Sequence, residues 1–270
     1  MIASTLTDRQ KRERDYYNQY AELSKDSSQK VDISPVVNVI EGKETRPWNS
    51  YWAIYKFAID NFNTGDKLLD FGSGPGENAF RLATIGYSVE GFDISEKNIE
   101  LSKKLFTDQG KSGNFQVSSA ETLPYPDENF NIIIGIDILH HVDIELSIRE
   151  CYRVLKTGGK AYFREPVDVG ILDRIRETKI VKFFAPKNTS FELHITEDER
   201  KLNSTDEKII NKVFPKMKKH YFFLFARFDK FYRRGSDPRP SVLEKLDYFL
   251  FKTFPFLKKL GGTVIYELEK

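Results

Sequence analysis

From Lys67 onward the chain alternates short apolar runs with segments of helical period. "KLLDF" is an apolar strand, "GENAFRLATIG" a helix closed by Gly86, and "YSVEGFDI" a second strand. "SEKNIELSKKLFTDQG" opens on Ser95, a good N-cap, and ends at Gly110, so it reads as a helix. "NFQVSSA" is the third strand, and a loop broken by two prolines, "LPYPDENF", follows it. "NIIIGIDIL" is a strongly apolar fourth strand, "DIELSIRECYRVLKTGG" a helix stopped by Gly-Gly, and "KAYFREP" a fifth strand. Strand and helix alternating in this way predict a parallel sheet with helices on both faces.

The flanks read differently. Residues 5–26 place Leu6, Tyr16, Tyr17, Tyr20 and Leu23 at helical intervals, residues 32–47 read as a loop, and "WNSYWAIYKFAIDNF" returns to a three- and four-residue period. Past Pro166 the alternation stops. Residues 167–214 read as helix and loop, 217–228 as a strand, 241–261 as an apolar helix interrupted near Pro255, and "GTVIYELEK" as a last strand. We therefore expect an N-terminal helical cap over 1–64, a core over 65–165, and insertions plus two final strands of the same domain over 166–270.

Charge refines this division. Net charge is only +2, but residues 1–165 carry 20 Lys and Arg against 25 Asp and Glu, and residues 166–262 carry 21 against 13. The basic third is either a solvated face or a surface for an anionic acceptor, membrane or nucleic acid. A single cysteine, Cys151, excludes an intrachain disulfide and a multi-thiolate zinc site, and no metal is expected. The N-terminus reaches charge within eight residues, and no uncharged run approaches a membrane span. The expected location is the cytoplasm.

The chemistry concentrates at strand ends. Asp70 precedes Gly72, Gly74 and Gly76, a turn that lets a ligand approach backbone without Cβ contact, at the edge where open parallel sheets bind ligands. The dinucleotide fingerprint wants glycine at position 77, where this chain has Glu77, a poor neighbour for a pyrophosphate. The two acids instead suit a cationic or zwitterionic ligand. Asp93, ending the second strand, can accept from both hydroxyls of a ribose.

Five motifs in order then resemble one family. Asp70-Phe71-Gly72-Ser73-Gly74-Pro75-Gly76, Asp93, Ala120-Glu121-Thr122-Leu123-Pro124-Tyr125, Leu139-His140-His141-Val142 and Arg153-Val154-Leu155-Lys156-Thr157-Gly158-Gly159 are similar to the class I S-adenosylmethionine-dependent methyltransferases of small molecules. The resemblance covers roughly residues 65–165. It implies a Rossmann-like α/β fold with a seven-stranded, mostly parallel sheet, an antiparallel last strand, and helices on both faces. It also implies S-adenosylmethionine as cofactor. Gly72 and Gly74 would lie against its methionine part, Asp70 would support that turn, Asp93 would bind the ribose, Ile94 would lie on the adenine, and Ala120 and Glu121 would flank its edge. Ser119 stands where the family often has an aspartate.

The resemblance also bears on the acceptor. A hydroxyl acceptor benefits from a general base, typically His. His140 and His141 are the candidates, with His140 preferred. Glu165 is a candidate to orient a histidine or bind an acceptor cation, and Tyr16 and Tyr17 to cover the bound ligand. His194 is a further candidate for the acceptor pocket. The apolar, lysine-flanked segment 241–260 reads as packing, as a lid, or as a membrane-surface contact for a lipid-linked acceptor. The leading expectation is methyl transfer to an O or N atom of a small-molecule, glycan-type or lipid-linked acceptor, with no stable nucleic-acid partner. An RNA methyltransferase and a non-catalytic cofactor-binding protein on the same fold are the alternatives.

Overall fold

The computed structural model describes residues 6–23, 31–170, 200–231 and 241–270. Seven strands form one sheet: β1 Lys67–Phe71, β2 Ser88–Asp93, β3 Asn114–Val117, β4 Phe130–Ile136, β5 Leu155–Pro166, β6 Lys216–Phe222 and β7 Thr263–Glu269. Their spatial order is β3-β2-β1-β4-β5-β7-β6. Neighbours from β3 to β5 pair in parallel, and β7 runs antiparallel to both β5 and β6. This is the Rossmann-like sheet expected, with the last strand reversed.

Eight helices accompany it among the described residues: α1 Asp8–Leu23, α2 Ser34–Ile40, α3 Ser50–Asp60, α4 Glu77–Ile85, α5 Glu96–Asp108, α6 Ile144–Val154, α7 Ser204–Val213 and α8 Val242–Thr253. The strands are apolar on both faces because helices cover both. Leu68, Ile132, Ile134 and Ile265 pack with Val36, Ile54, Ala58, Leu82 and Ile99 on one side. Leu69, Ile133, Val264 and Tyr266 pack with Ile148, Cys151, Ile210 and Phe214 on the other. The side-chain period of two sends alternate residues of each strand to opposite cores. Burial also pushes the Cys151 thiol well above its ordinary range, consistent with an inert core position.

Three expectations are corrected. The 32–47 segment contains α2, which starts with a proline in its first turn and buries Val36; its β-branched residues concealed the helix. The strand expected over 217–228 spans Lys216–Phe222 instead. Phe223 has φ +62°, and the Asp247 carboxylate of α8 accepts from the N–H groups of Leu224, Phe225 and Ala226 at 2.8, 2.8 and 2.9 Å. An acid more than twenty residues away thus ends the strand, which local periodicity cannot reveal. Finally, the helix expected to reach Gly159 stops at Val154, and Leu155 already pairs with Phe130.

Candidate active site

The turn after β1 opens the site. Gly72, Gly74 and Gly76 have φ of +77°, +50° and +89°. A Cβ on Gly72 would stand 2.7 Å from the Ile138 side chain, and one on Gly76 would stand 2.9 Å from the α5 backbone at Ser102. At Gly74 nothing lies within 4 Å. Two glycines therefore let the turn close against its neighbours, and the middle one leaves free space beside bare backbone.

The carboxylates are held in different ways. Asp93 accepts from the N–H of Gly74 (2.9 Å), the N–H of Ser95 (2.9 Å) and the Asn98 amide (3.2 Å). Burial raises its carboxyl above the usual range, and those donors oppose the rise. Asp70 lies beneath the turn, 1% exposed, and its Oδ2 has no hydrogen-bond partner among the described residues. Burial lifts its carboxyl to about 7.

Helix α1 closes the front. Asn18 accepts from the Ser95 hydroxyl (2.7 Å) and the Lys97 N–H (3.2 Å), docking α1 on the start of α5. Glu121 accepts from the Arg9 guanidinium, from the Gln10 amide (2.9 Å) and from the N–H of Asp143 (3.0 Å). Burial works against its charge, but these donors outweigh burial and hold its carboxyl below the ordinary range. Arg9 also donates to the carbonyl of His141.

The two histidines occupy a single 3-10 turn, Leu139–His141, with ring centroids 4.1 Å apart. His140 Nδ1 lies 2.7 Å from Glu165 Oε2, while Glu165 Oε1 accepts from the N–H groups of Ile138 (2.9 Å) and Leu139 (2.7 Å). Glu165 is fully buried and clamps the turn to β5. His141 Nε2 lies 3.0 Å from the Tyr17 hydroxyl, and its Nδ1 lies 3.3 Å from Glu13 Oε2.

These elements enclose a cavity of about 340 Å³. Of the residues expected from sequence, Gly72, Gly74, Asp93, Ile94, Ala120, Glu121, Tyr17 and His141 line it. Asp70, Tyr16, His140 and Glu165 do not. Tyr16 packs edge-on against Tyr17, with ring centroids 5.2 Å apart. Of the two histidines, His141 meets the cavity, whereas His140 does not line it and is held through Nδ1 by Glu165. Likewise the loop residue at the wall is Ser118 rather than Ser119. His194 lies outside the described residues.

Sequence reasoning missed several lining residues. Arg9, Gln10, Glu13 and Tyr20 share with Tyr17 one face of α1, and their three- and four-residue spacing was a signal for that face. Asp137 gave none. It takes φ +55° at the end of β4, and both its oxygens lie 2.6 Å from Arg164 Nη1. The Tyr51 hydroxyl donates to it at 3.2 Å, and the Arg164 guanidinium stacks 4.0 Å over the Tyr51 ring. Glu13, Glu77, Asp93, Glu121 and Asp137 face the cavity against one guanidinium, Arg9, which gives the site an acidic lining.

Comparisons with known proteins agree with this geometry. Residues 69–163 match the family model "Methyltransferase domain". The chain is 40% identical over 100 residues to 27-O-demethylrifamycin SV methyltransferase of Amycolatopsis mediterranei (strain S699), covering 36% of this chain and 37% of that one. It is 38% identical over 96 residues to a ubiquinone biosynthesis O-methyltransferase of Chelativorans sp. (strain BNC1), covering 35% and 38%. In both cases the match spans well under half of the relative's length. The crystal structure of magnesium protoporphyrin IX methyltransferase from Synechocystis PCC 6803 superposes with a TM-score of 0.56 at 15% identity, covering 97% of this chain and all of that one. That likeness is one of fold.

Proposed function

We propose that this chain, whose residues 69–163 match a methyltransferase domain, is a class I S-adenosylmethionine-dependent methyltransferase that transfers a methyl group to a hydroxyl oxygen of a small-molecule acceptor. The observation that carries the reading is the acidic cavity built on the glycine turn. It joins bare backbone at Gly74 and the strand-end acid Asp93, with an unpartnered oxygen of Asp70 buried behind the same turn. A cationic or zwitterionic ligand fits that set, and a pyrophosphate does not.

In this reading Gly72 and Gly74 hold the methionine part of the cofactor, Asp93 the ribose, and Ile94 and Ala120 the adenine. Bound S-adenosylmethionine supplies a methyl group already activated on a sulfonium. What remains for the protein is to align the acceptor and take its proton. His141 Nε2 stands within hydrogen-bond reach of the Tyr17 hydroxyl at the cavity wall. A proton leaving an acceptor hydroxyl passes to that nitrogen, directly or through Tyr17. Glu165 and His140 position the turn that carries His141, and Glu121 with Arg9 holds α1 closed over the site. The O-methyltransferases among the relatives support oxygen as the methylated atom.

The test is transfer of a labelled methyl group from S-adenosylmethionine to a panel of phenols and alcohols, with amines and total RNA in parallel. Label in the hydroxyl compounds is the expected result. Label confined to amines or RNA would overturn the acceptor assignment, and binding without turnover in any fraction would overturn the activity.

One observation favours a second element, a membrane-surface contact that delivers a lipid-linked acceptor. Val242, Leu246, Phe249, Phe254 and Phe256 are exposed, beside Lys245, Lys252, Lys258 and Lys259. The two acids of this segment turn inward: Glu244 takes the Asn49 amide, and Asp247 takes three backbone N–H groups. Exposed aromatics flanked by cations suit an anionic bilayer surface. No helix among the described residues is long and apolar enough to cross a membrane. Flotation with phosphatidylglycerol vesicles, absent with purely zwitterionic ones, is the expected result; equal or no flotation would refute the contact.

A further inference from the structure

We propose that a second cavity, between α3, β6 and α8, is a binding site for an anionic amphiphile, meaning an apolar body carrying one phosphate or carboxylate head. The cavity measures about 540 Å³, within the range of small-molecule sites. It shares no lining residue with the cavity at the glycine turn. Its walls are aromatic and apolar, with Trp52 and Phe57 from α3, Tyr248 and Phe251 from α8, and Phe222 from β6. Its charged groups are all basic. Arg46, Lys56, Lys219, His220, Lys252 and Lys258 line it, and no carboxylate does among the described residues.

The basic groups divide into two sets. Four are already engaged by acids outside the lining: Arg46 by Glu44, Lys56 by Asp60, Lys219 by Glu207 and His220 by Glu267. They are thereby fixed in place, and Arg46 also lies 4.5 Å over the Trp52 ring. Lys252 and Lys258 make no ion pair with a described residue, and both stand exposed on the rim. An anionic head meets these two first and the fixed set behind them. Helix α8 delivers its lysine without a competing acid, because Glu244 and Asp247 are spent inside the fold.

The composition selects the ligand class. A free anion would leave the Trp52, Phe57 and Phe251 walls wet, and a neutral apolar molecule would leave the two rim lysines, Lys252 and Lys258, without an anion. A ligand with both features satisfies both. The inference stands whether or not the acceptor assignment at the first cavity is correct, since it uses none of that site's residues.

The test is calorimetric titration of the full chain with decyl phosphate below its micelle-forming concentration. Decyl phosphocholine, inorganic phosphate and phosphatidylglycerol vesicles form separate arms, and Trp fluorescence reports occupancy. One saturable site is expected for decyl phosphate, with decyl phosphocholine about tenfold weaker or more, because its net charge is zero. The double variant Lys252→Glu, Lys258→Glu should weaken decyl phosphate by about tenfold or more and leave S-adenosylmethionine binding and the unfolding temperature unchanged. These rim positions are exposed, so the fold tolerates the exchange. Equal affinity for the two decyl compounds, or no effect of the double variant, overturns the proposal. Binding to vesicles with none to monomeric decyl phosphate also overturns it, leaving only a surface contact. Displacement by inorganic phosphate at the same concentration assigns the site to the free anion and overturns the amphiphile.

Discussion

The two cavities take opposite charge from one nearly neutral chain. Among the described residues, the first gathers five carboxylates around a single guanidinium, whereas the second gathers five Lys and Arg side chains with a histidine and no acid. Helix α3 serves both: Tyr51 reaches Asp137 of the first, while Trp52, Lys56 and Phe57 line the second. A net charge of +2 conceals this segregation. The difference teaches where each site keeps its electrostatic cost. The first buries an unpartnered carboxylate oxygen beneath its turn, at Asp70. The second pairs most of its cations with acids outside its walls, so its surplus sits on the rim. Ligands that suit one site are repelled by the other.

The sharpest way to break the comparison is to disable one cavity alone. Asp93→Ala removes the candidate ribose acceptor and also strips partners from Gly74, Ser95 and Asn98. Hydrogen bonds to a charged group contribute about 1.5–3 kcal/mol each. S-adenosylmethionine affinity should therefore fall by about a hundredfold or more by calorimetry, with decyl phosphate binding unchanged. Equal loss at both sites would mean that the variant has simply unfolded the chain.

Next in size is the contrast inside the first cavity. His141→Ala should lower kcat by about 10²-fold or more, the usual worth of a general base, with little effect on cofactor affinity. His140→Ala should act through the fold instead, leaving the buried Glu165 oxygen without its imidazole at a cost of about 1–3 kcal/mol. Measuring kcat and urea unfolding on both variants separates them. If His140→Ala alone abolished turnover in a stably folded protein, the base assignment would revert to His140.

Asp70 gives a pH-dependent prediction. An unfolded aspartate releases its proton near 4, whereas the folded one holds it to about 7. The folded state therefore binds more protons between those values, so this group's contribution to stability falls as pH rises from 4 to 7 and is constant above. Asp70→Asn should remove that penalty, gaining about 2–4 kcal/mol at pH 8 at most and nothing at pH 4, measured by urea unfolding without ligand. The same variant should bind S-adenosylmethionine less well. Stabilisation that did not depend on pH would refute the assignment of the penalty to this carboxyl.

Much of this was legible in the sequence, for a physical reason. Gly72, Gly74, Asp93 and Ala120 end or closely follow parallel strands, so topology alone brings them to one sheet edge. Asp137 was not legible, since its conformation depends on Arg164 and Tyr51, which are neighbours only in the folded chain. The choice between His140 and His141 was equally hidden. The two rings lie 4.1 Å apart, yet only His141 lines the cavity, and the contact of His140 with buried Glu165 spans 25 residues of sequence. The second cavity was invisible for the strongest version of this reason. Its walls come from α3 and, more than a hundred residues later, from β6 and α8, and no local motif links them.

The smallest effect tests whether the charge contrast extends onto the surface. Phe249 and Phe251 sit two apart on α8, so their side chains point to different faces. Phe251 is 5% exposed and lines the second cavity, whereas Phe249 is 62% exposed. Phe251→Ala should cost about 3–5 kcal/mol in urea unfolding, as large-to-small core changes do. Phe249→Ser should stay within about 0.5 kcal/mol, as exposed substitutions do. Its readout is instead the membrane contact, because inserting one exposed phenyl ring removes apolar area worth about 1–2 kcal/mol from water. Flotation with phosphatidylglycerol vesicles should therefore weaken by about tenfold, with the affinity for decyl phosphate unaltered. If Phe249→Ser lost stability as Phe251→Ala does, the ring would be packed in solution and the bilayer contact would fall, while the cavity beneath would still be judged by its own lysines.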